Sequence, residues 1–257
     1  MSAKKAYLTF FIVMAIFLGI GIVTSRLLSP DYSYLGEAIG TSILTIVSVI
    51  ILGKKDLLKF EWKSFLKGML YAAPLLAVSI YMMANHISSW SSFGEGFNKE
   101  SIIMGIALFL GAGIGEELAC RIIGAELFRQ ALGNTKKGVF KAVCFSSLFF
   151  GLCHLVNIFT FGQGIIETIV QVIYAFGFGC FFAAVYFKSR NIWACIITHW
   201  LFDVSNFHVE TPFGIENPVA ALIVTLAILV ITGVVLACVY LSNYKFDKED
   251  GVKQMIA

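Results

Sequence analysis

Charge is what this 257-residue sequence has least of: 14% of its residues are Asp, Glu, Lys or Arg, where a soluble domain carries about 25%. That shortage removes the solvating surface an ordinary cytosolic enzyme needs. It excludes a disordered chain, whose composition runs the other way, and a nucleic-acid-binding module, which needs a basic face. A net charge of +3 is too small to imply an acidic partner. Proline is scarce too, with four residues, and no Pro- or Ser-rich linker divides the chain. Residues 1–257 are therefore expected to form one domain. The six cysteines, Cys120, Cys144, Cys153, Cys180, Cys195 and Cys238, include no CxxC pair and lie inside apolar runs. They read as small packing residues of a protein without disulfides.

What the sequence has in excess is apolar surface. Hydrophobic residues make up 58% of the chain, and the mean hydropathy is +0.85. A helix needs about 20 mostly apolar residues to cross a bilayer. Runs at 6–25, 36–53, 67–86, 101–120, 139–158, 165–187, 191–208 and 217–242 are the candidates, and their length favours helix over strand. The expected fold is all-α, a polytopic membrane protein of about eight transmembrane helices. The first run is too long for a signal-peptide core and reads as a retained span. With the N-terminus inside and the spans alternating, only Arg26 and Lys99 of the 19 lysines and arginines fall outside. That bias places both termini in the cytoplasm. In this assignment Arg121 and Arg129 belong with Lys136, Lys137 and Lys141 to an inner segment. Gly19, Gly21, Gly177 and Gly179 are expected to let helices approach closely, and Pro74 to kink the third span. Trp62, Trp90 and Trp193 read as interfacial anchors.

Ionisable residues inside such spans are expensive and point to function. Glu116, Glu117 and Arg121 close the fourth run, His154 lies in the fifth, and His199 and Asp203 lie in the seventh. His86 and His208 sit at outer ends, and Glu126, Asn157 and Glu167 near span ends; all five read as structural or solvated. Glu117 and Arg121 are four apart, so they share a helix face and can pair. Glu116 points about 100° away and has no local cation. Taken alone, the cluster reads as charges at a helix end. Counting along each span puts Glu116 roughly 9 Å, His154 roughly 20 Å and Asp203 roughly 18 Å from the inner side. Helix tilt, or a break at Gly111-Ala112-Gly113-Ile114-Gly115, could close that gap. Two histidines with carboxylates could also build a zinc site with an open position for water. No HExxH is present, however, and the ligands would come from three helices.

Glu116-Glu117-x-x-x-Arg121, Phe150-x-x-x-His154 and His199-x-x-x-Asp203 resemble, in order and spacing, the three motifs of the CAAX-protease and bacteriocin-processing (CPBP, or Abi) family. That family includes the Ras-converting CAAX endopeptidase. The motifs span residues 116–203. One position departs from the Ras-converting pattern: Asp203 stands where that branch carries asparagine. The resemblance implies an intramembrane endopeptidase that depends on glutamate and uses no cofactor. On that pattern Glu116, aided by His154, activates water, while His199 with Asp203 stabilises the oxyanion. Glu117 and Arg121 support the site. A fixed donor in a low-dielectric cavity stabilises an oxyanion more than water does. An ionised Asp203 cannot donate a hydrogen bond, so its better role is to orient His199 and favour its protonated form.

The expected substrate is a peptide or small membrane protein reaching a cavity within the membrane, with no nucleic acid involved. Short loops suit a prokaryotic cell membrane. The competing class is a non-catalytic membrane protein that gives bacteriocin self-immunity or regulates a membrane sensor. A transporter is disfavoured because no inverted repeat is evident.

Overall fold

The computed structural model describes residues 2–88, 99–206, 223, 230 and 233–242. Every regular element among them is helical. Six are long and apolar enough to cross a membrane. They are α1 (Ala3–Leu27), α2 (Pro30–Ile51), α3 (Trp62–Ser88), α4 (residues 99–132), α5 (Lys136–Cys153, continued by short helical turns to Thr160) and α6 (Ile165–Ser189). Two shorter apolar helices are α7 (Ile192–Asn206) and α8 (Gly233–Ser242). This is the build of a multi-pass integral membrane protein. Leu8, Ile12 and Ile16 on α1, and Ile39, Ile43 and Val47 on α2, are exposed. In lipid such faces are solvated rather than wasted, because helices satisfy their own backbone. Trp90 and His208 lie outside the described residues, as does most of the run at 217–242.

Local chemistry places the helix ends. Pro30 opens α2 at a position where its missing N–H is not needed. The Glu61 carboxylate caps α3, accepting from the backbone N–H groups of Lys63 (3.0 Å) and Ser64 (2.7 Å). Asn191 does the same for α7: its Oδ1 accepts from the N–H groups of Trp193 (3.0 Å) and Ala194 (3.4 Å). Its Nδ2 donates to the Glu61 carbonyl (3.1 Å) and to Ser64 Oγ (2.9 Å). One amide therefore pins the start of α7 to the start of α3, and α7 packs along α3 from there. Trp193 adds a bond from its indole N–H to the Leu58 carbonyl at 2.8 Å.

The fourth span departs from its expected limits. The run at 101–120 was expected to end in the glutamate–arginine cluster, with Arg121 and Arg129 in an inner segment. Instead α4 continues to Leu132, and both arginines are buried within it. Each is paired with a carboxylate one turn earlier, Glu117 and Glu126. Mutual neutralisation lets a charged stretch stay inside the protein, where four isolated charges could not. Nor is the helix broken at Gly111–Gly115. It changes type instead: α-helical over Lys99–Leu108, π-helical over Phe109–Glu116 and Leu118–Glu126, and α-helical again over Leu127–Leu132. Extra backbone of this kind is often found at functional sites.

Around α4 the other helices pair off, α5 with α6 and α1 with α2, and the π-helical stretch touches α2, α5 and α7. α6 is the most enclosed span, with 67% of its most apolar window buried against 28% in α1, α2 and α3. Glycine sets the α5–α6 spacing. A Cβ on Gly179 would lie 2.8 Å from the Ser147 Cβ and 2.9 Å from its Cα, and one on Gly151 would lie 2.6 Å from the Val172 carbonyl. Close approach through small residues is how membrane helices gain packing without a hydrophobic drive. Gly19 does not act this way, since a Cβ there meets nothing within 4 Å.

Candidate active site

A cavity of about 470 Å³ opens between α1, α2 and the helices that carry the three motifs. Its wall includes Glu116, His154, His199 and Asp203, so residues from α4, the end of α5 and α7 meet at one space. The longer α4 explains why the depths agree better than counting suggested. Glu116 falls at the middle of the 32-residue span Ser101–Leu132 rather than near its inner end.

The two adjacent glutamates divide sharply. Glu116 is half-buried and faces the cavity. Glu117 is fully buried and turned into the protein. Its Oε1 accepts from Arg121 Nη2 at 2.6 Å and from His199 Nδ1–H at 2.8 Å. The contact with His199 spans 82 residues of sequence and could not be read from spacing. Glu117 Oε2, Arg121 Nε and Arg121 Nη1 are buried without a partner. Aromatic rings enclose this group. The Arg121 guanidinium sits 5.0 Å over Phe150 and 5.4 Å over Phe182. His199 stacks on Phe182 at 5.1 Å and meets Phe150 edge-on at 5.9 Å. Phe150, the first residue of the second motif, thus contributes a wall for the arginine and the histidine together.

The histidines are oriented by hydrogen bonds at one ring nitrogen each. His154 starts the turn that follows α5, and its Nδ1–H donates to the Phe150 carbonyl at 2.9 Å. In the neutral ring this leaves Nε2 as the proton acceptor. His199 has Nδ1–H on Glu117, and its Nε2 lies 3.6 Å from Asp203 Oδ2. That distance allows an ion pair but is too long for a hydrogen bond. Glu116 and His154 share the cavity, yet among the described residues no hydrogen bond joins them. No three His, Cys, Asp or Glu side chains among the described residues are grouped to hold a metal ion.

Five hydrogen-bonding residues of the wall were not expected as site residues, Tyr174 of α6 among them. Glu37 and Tyr34 come from α2, Asn157 from the turn after α5, and Gln171 from α6. Asn157, read as structural from its place at a span end, donates to Gln171 Oε1 at 3.0 Å. Glu37 carries the signal that exposed the motifs, an ionisable group in an apolar run, but it stands only one residue inside the run at 36–53. Glu126, also read as structural, forms a second buried cluster below the cavity. Its oxygens accept from Arg129 Nη2 (2.6 Å) and Nε (3.1 Å), Arg190 Nη1 (3.0 Å) and Gln130 Nε2 (3.2 Å). Glu167 caps α6 through its bond with Gly164 N–H at 2.9 Å, a structural role as expected. Of the remaining histidines, His86 lies near the end of α3.

Nothing among curated proteins or solved structures matches the chain. Residues 98–205 match the family described as type II CAAX prenyl endopeptidase Rce1-like. The matched segment contains all three motifs and runs from α4 to α7.

Proposed function

We propose that this Rce1-like domain makes the chain an intramembrane endopeptidase acting on a peptide or membrane-associated protein. The reading is supported chiefly by one observation: four candidate residues from three separate helices face a single cavity. In the proposed mechanism Glu116 takes a proton from a water that His154 Nε2 also holds, hydroxide attacks the scissile carbonyl, and Glu116 returns the proton to the leaving amine as the C–N bond breaks. Nδ1 of His154 is committed to a carbonyl, so Nε2 is the nitrogen available for this work. His199 carries both ring protons, with Nδ1–H on Glu117 and Nε2–H turned to the developing oxyanion. Asp203 stands beside that nitrogen, holding the ring and balancing its charge. Glu117 acts on His199 directly and is a positioning residue rather than only a partner for Arg121. Eight spans in a single domain, with both termini cytoplasmic, complete the proposal.

The test is cleavage of a quenched peptide library by the purified chain in detergent, with and without chelator. Wild type should cleave in both conditions, while Glu116→Gln and His154→Ala, checked as folded by thermal unfolding, should lose at least about 100-fold in rate. Loss of activity on chelation, restored by zinc, would replace water activation by glutamate with a metal mechanism. Full activity in both folded variants would sink the proposed roles.

A further inference from the structure

Among the described residues the cavity wall carries three carboxylates, Glu37, Glu116 and Asp203, and no lysine or arginine. The Arg121 charge lies behind the wall, already bound to Glu117. Glu37 is the outlier of the three. It comes from α2, outside residues 98–205, and takes no part in the proposed water activation or oxyanion binding. Its carboxylate has no hydrogen bond or ion pair among the described residues; only its backbone carbonyl is engaged, accepting from Thr41 Oγ1 at 2.8 Å. Room is made for it from α1, where a Cβ on Gly21 would lie 2.6 Å from Glu37 Oε1. The carboxylate thus occupies space that α1 leaves for it, at the edge of a cavity large enough for peptide side chains.

We infer that Glu37 is a specificity-determining residue that receives the cationic side chain of a lysine or arginine next to the scissile bond. The inference rests on the peptidase reading and narrows its substrate class. Three carboxylates around one cavity repel one another when ionised, and an entering cation relieves that repulsion. A free C-terminal carboxylate would add a further negative charge to a wall whose protonated His199 is already held between Glu117 and Asp203. Asp203, charged where the Ras-converting branch has a neutral amide, works in the same direction.

The experiment measures binding so that it holds whether or not the chain cleaves. Two amidated, fluorescein-labelled peptides differing only by Lys or Glu at the central position are titrated, by anisotropy, against the full chain carrying Glu116→Gln in detergent. The Lys peptide should bind at least about tenfold more tightly than the Glu peptide, since like charge is penalised and opposite charge rewarded in a desolvated site. Adding Glu37→Gln should bring the ratio near one, and Glu37→Asp should keep part of it. Gly21→Ala, which crowds the carboxylate without removing it, should lower the ratio by an intermediate amount. Equal binding of the two peptides, or a Lys preference unchanged in folded Glu37→Gln, would overturn the inference. If wild type cleaves nothing while the Glu37-dependent preference persists, the peptidase reading falls and the cation subsite stands.

Discussion

Two buried carboxylate–arginine pairs lie nine residues apart on α4, and they are built differently. Glu126 sits between Arg129 and Arg190 with Gln130 alongside, and both its oxygens are used. Glu117 holds Arg121 and His199 through one oxygen, leaving its other oxygen and two arginine nitrogens unpartnered in the interior. Both pairs close at 2.6 Å, so bond length does not distinguish them. Saturation does. The Glu126 cluster has the form of a clamp, tying the end of α4 to the residue that follows α6. The Glu117 cluster keeps unspent hydrogen-bonding capacity beside a histidine of the cavity wall. Buried groups are normally satisfied, and an exception calls for a function or an ordered water. An ion pair alone does not indicate which charges of a membrane protein do chemistry; the state of its remaining donors and acceptors does.

The comparison can be broken at either pair. Arg121→Ala should have the largest effect, because it leaves a buried carboxylate with only a histidine. A loss of about 3–5 kcal/mol is expected, read as earlier thermal unfolding in detergent. Glu117→Gln should separate stability from chemistry. The amide oxygen can still accept from His199 and Arg121, so the protein should fold, while turnover on a cleaved peptide falls about 100-fold with little change in KM. Equal turnover would mean that Glu117 only packs. Glu126→Gln should do the reverse. It removes the charge shared by two arginines, lowering stability by about 1–3 kcal/mol, and leaves turnover per folded molecule within about twofold. Gln130→Ala, which removes one neutral donor from the same carboxylate, should be smallest, about 0.5–1.5 kcal/mol and silent in catalysis. Turnover that falls with Gln130→Ala or Glu126→Gln would erase the distinction between clamp and site.

Much of this was legible in the sequence because a bilayer leaves few options. Twenty apolar residues that must satisfy their own backbone become a helix, so α1, α3, α5 and α6 fall close to their expected limits. Charges that cost free energy inside lipid stand out, which is how Glu116, His154, His199 and Asp203 were found. Two of the failures share a cause, which is that pairing conceals burial. Arg121 and Arg129 look like interfacial residues until their carboxylates are seen to neutralise them, so α4 appeared about two-fifths shorter than it is. Glu37 looked peripheral because a span begins beside it, although α2 actually begins at Pro30. The bond between His199 and Glu117 is a product of tertiary packing, and neither helix's periodicity encodes it.

The π-helical stretch of α4 also governs how the chain tolerates changes in length. Its hydrogen bonds reach one residue further than those of an α-helix, and the two adjacent glutamates, Glu116 and Glu117, lie within this stretch. Removing Gly113 would move every later residue one place along the helix, a turn of about 100°. Glu117 would then occupy the register of Glu116, and Glu116 that of Gly115. For most of the bundle a lost residue is a packing defect. Here it brings Glu117 to the cavity-facing position and sets Glu116 against Thr41 of α2.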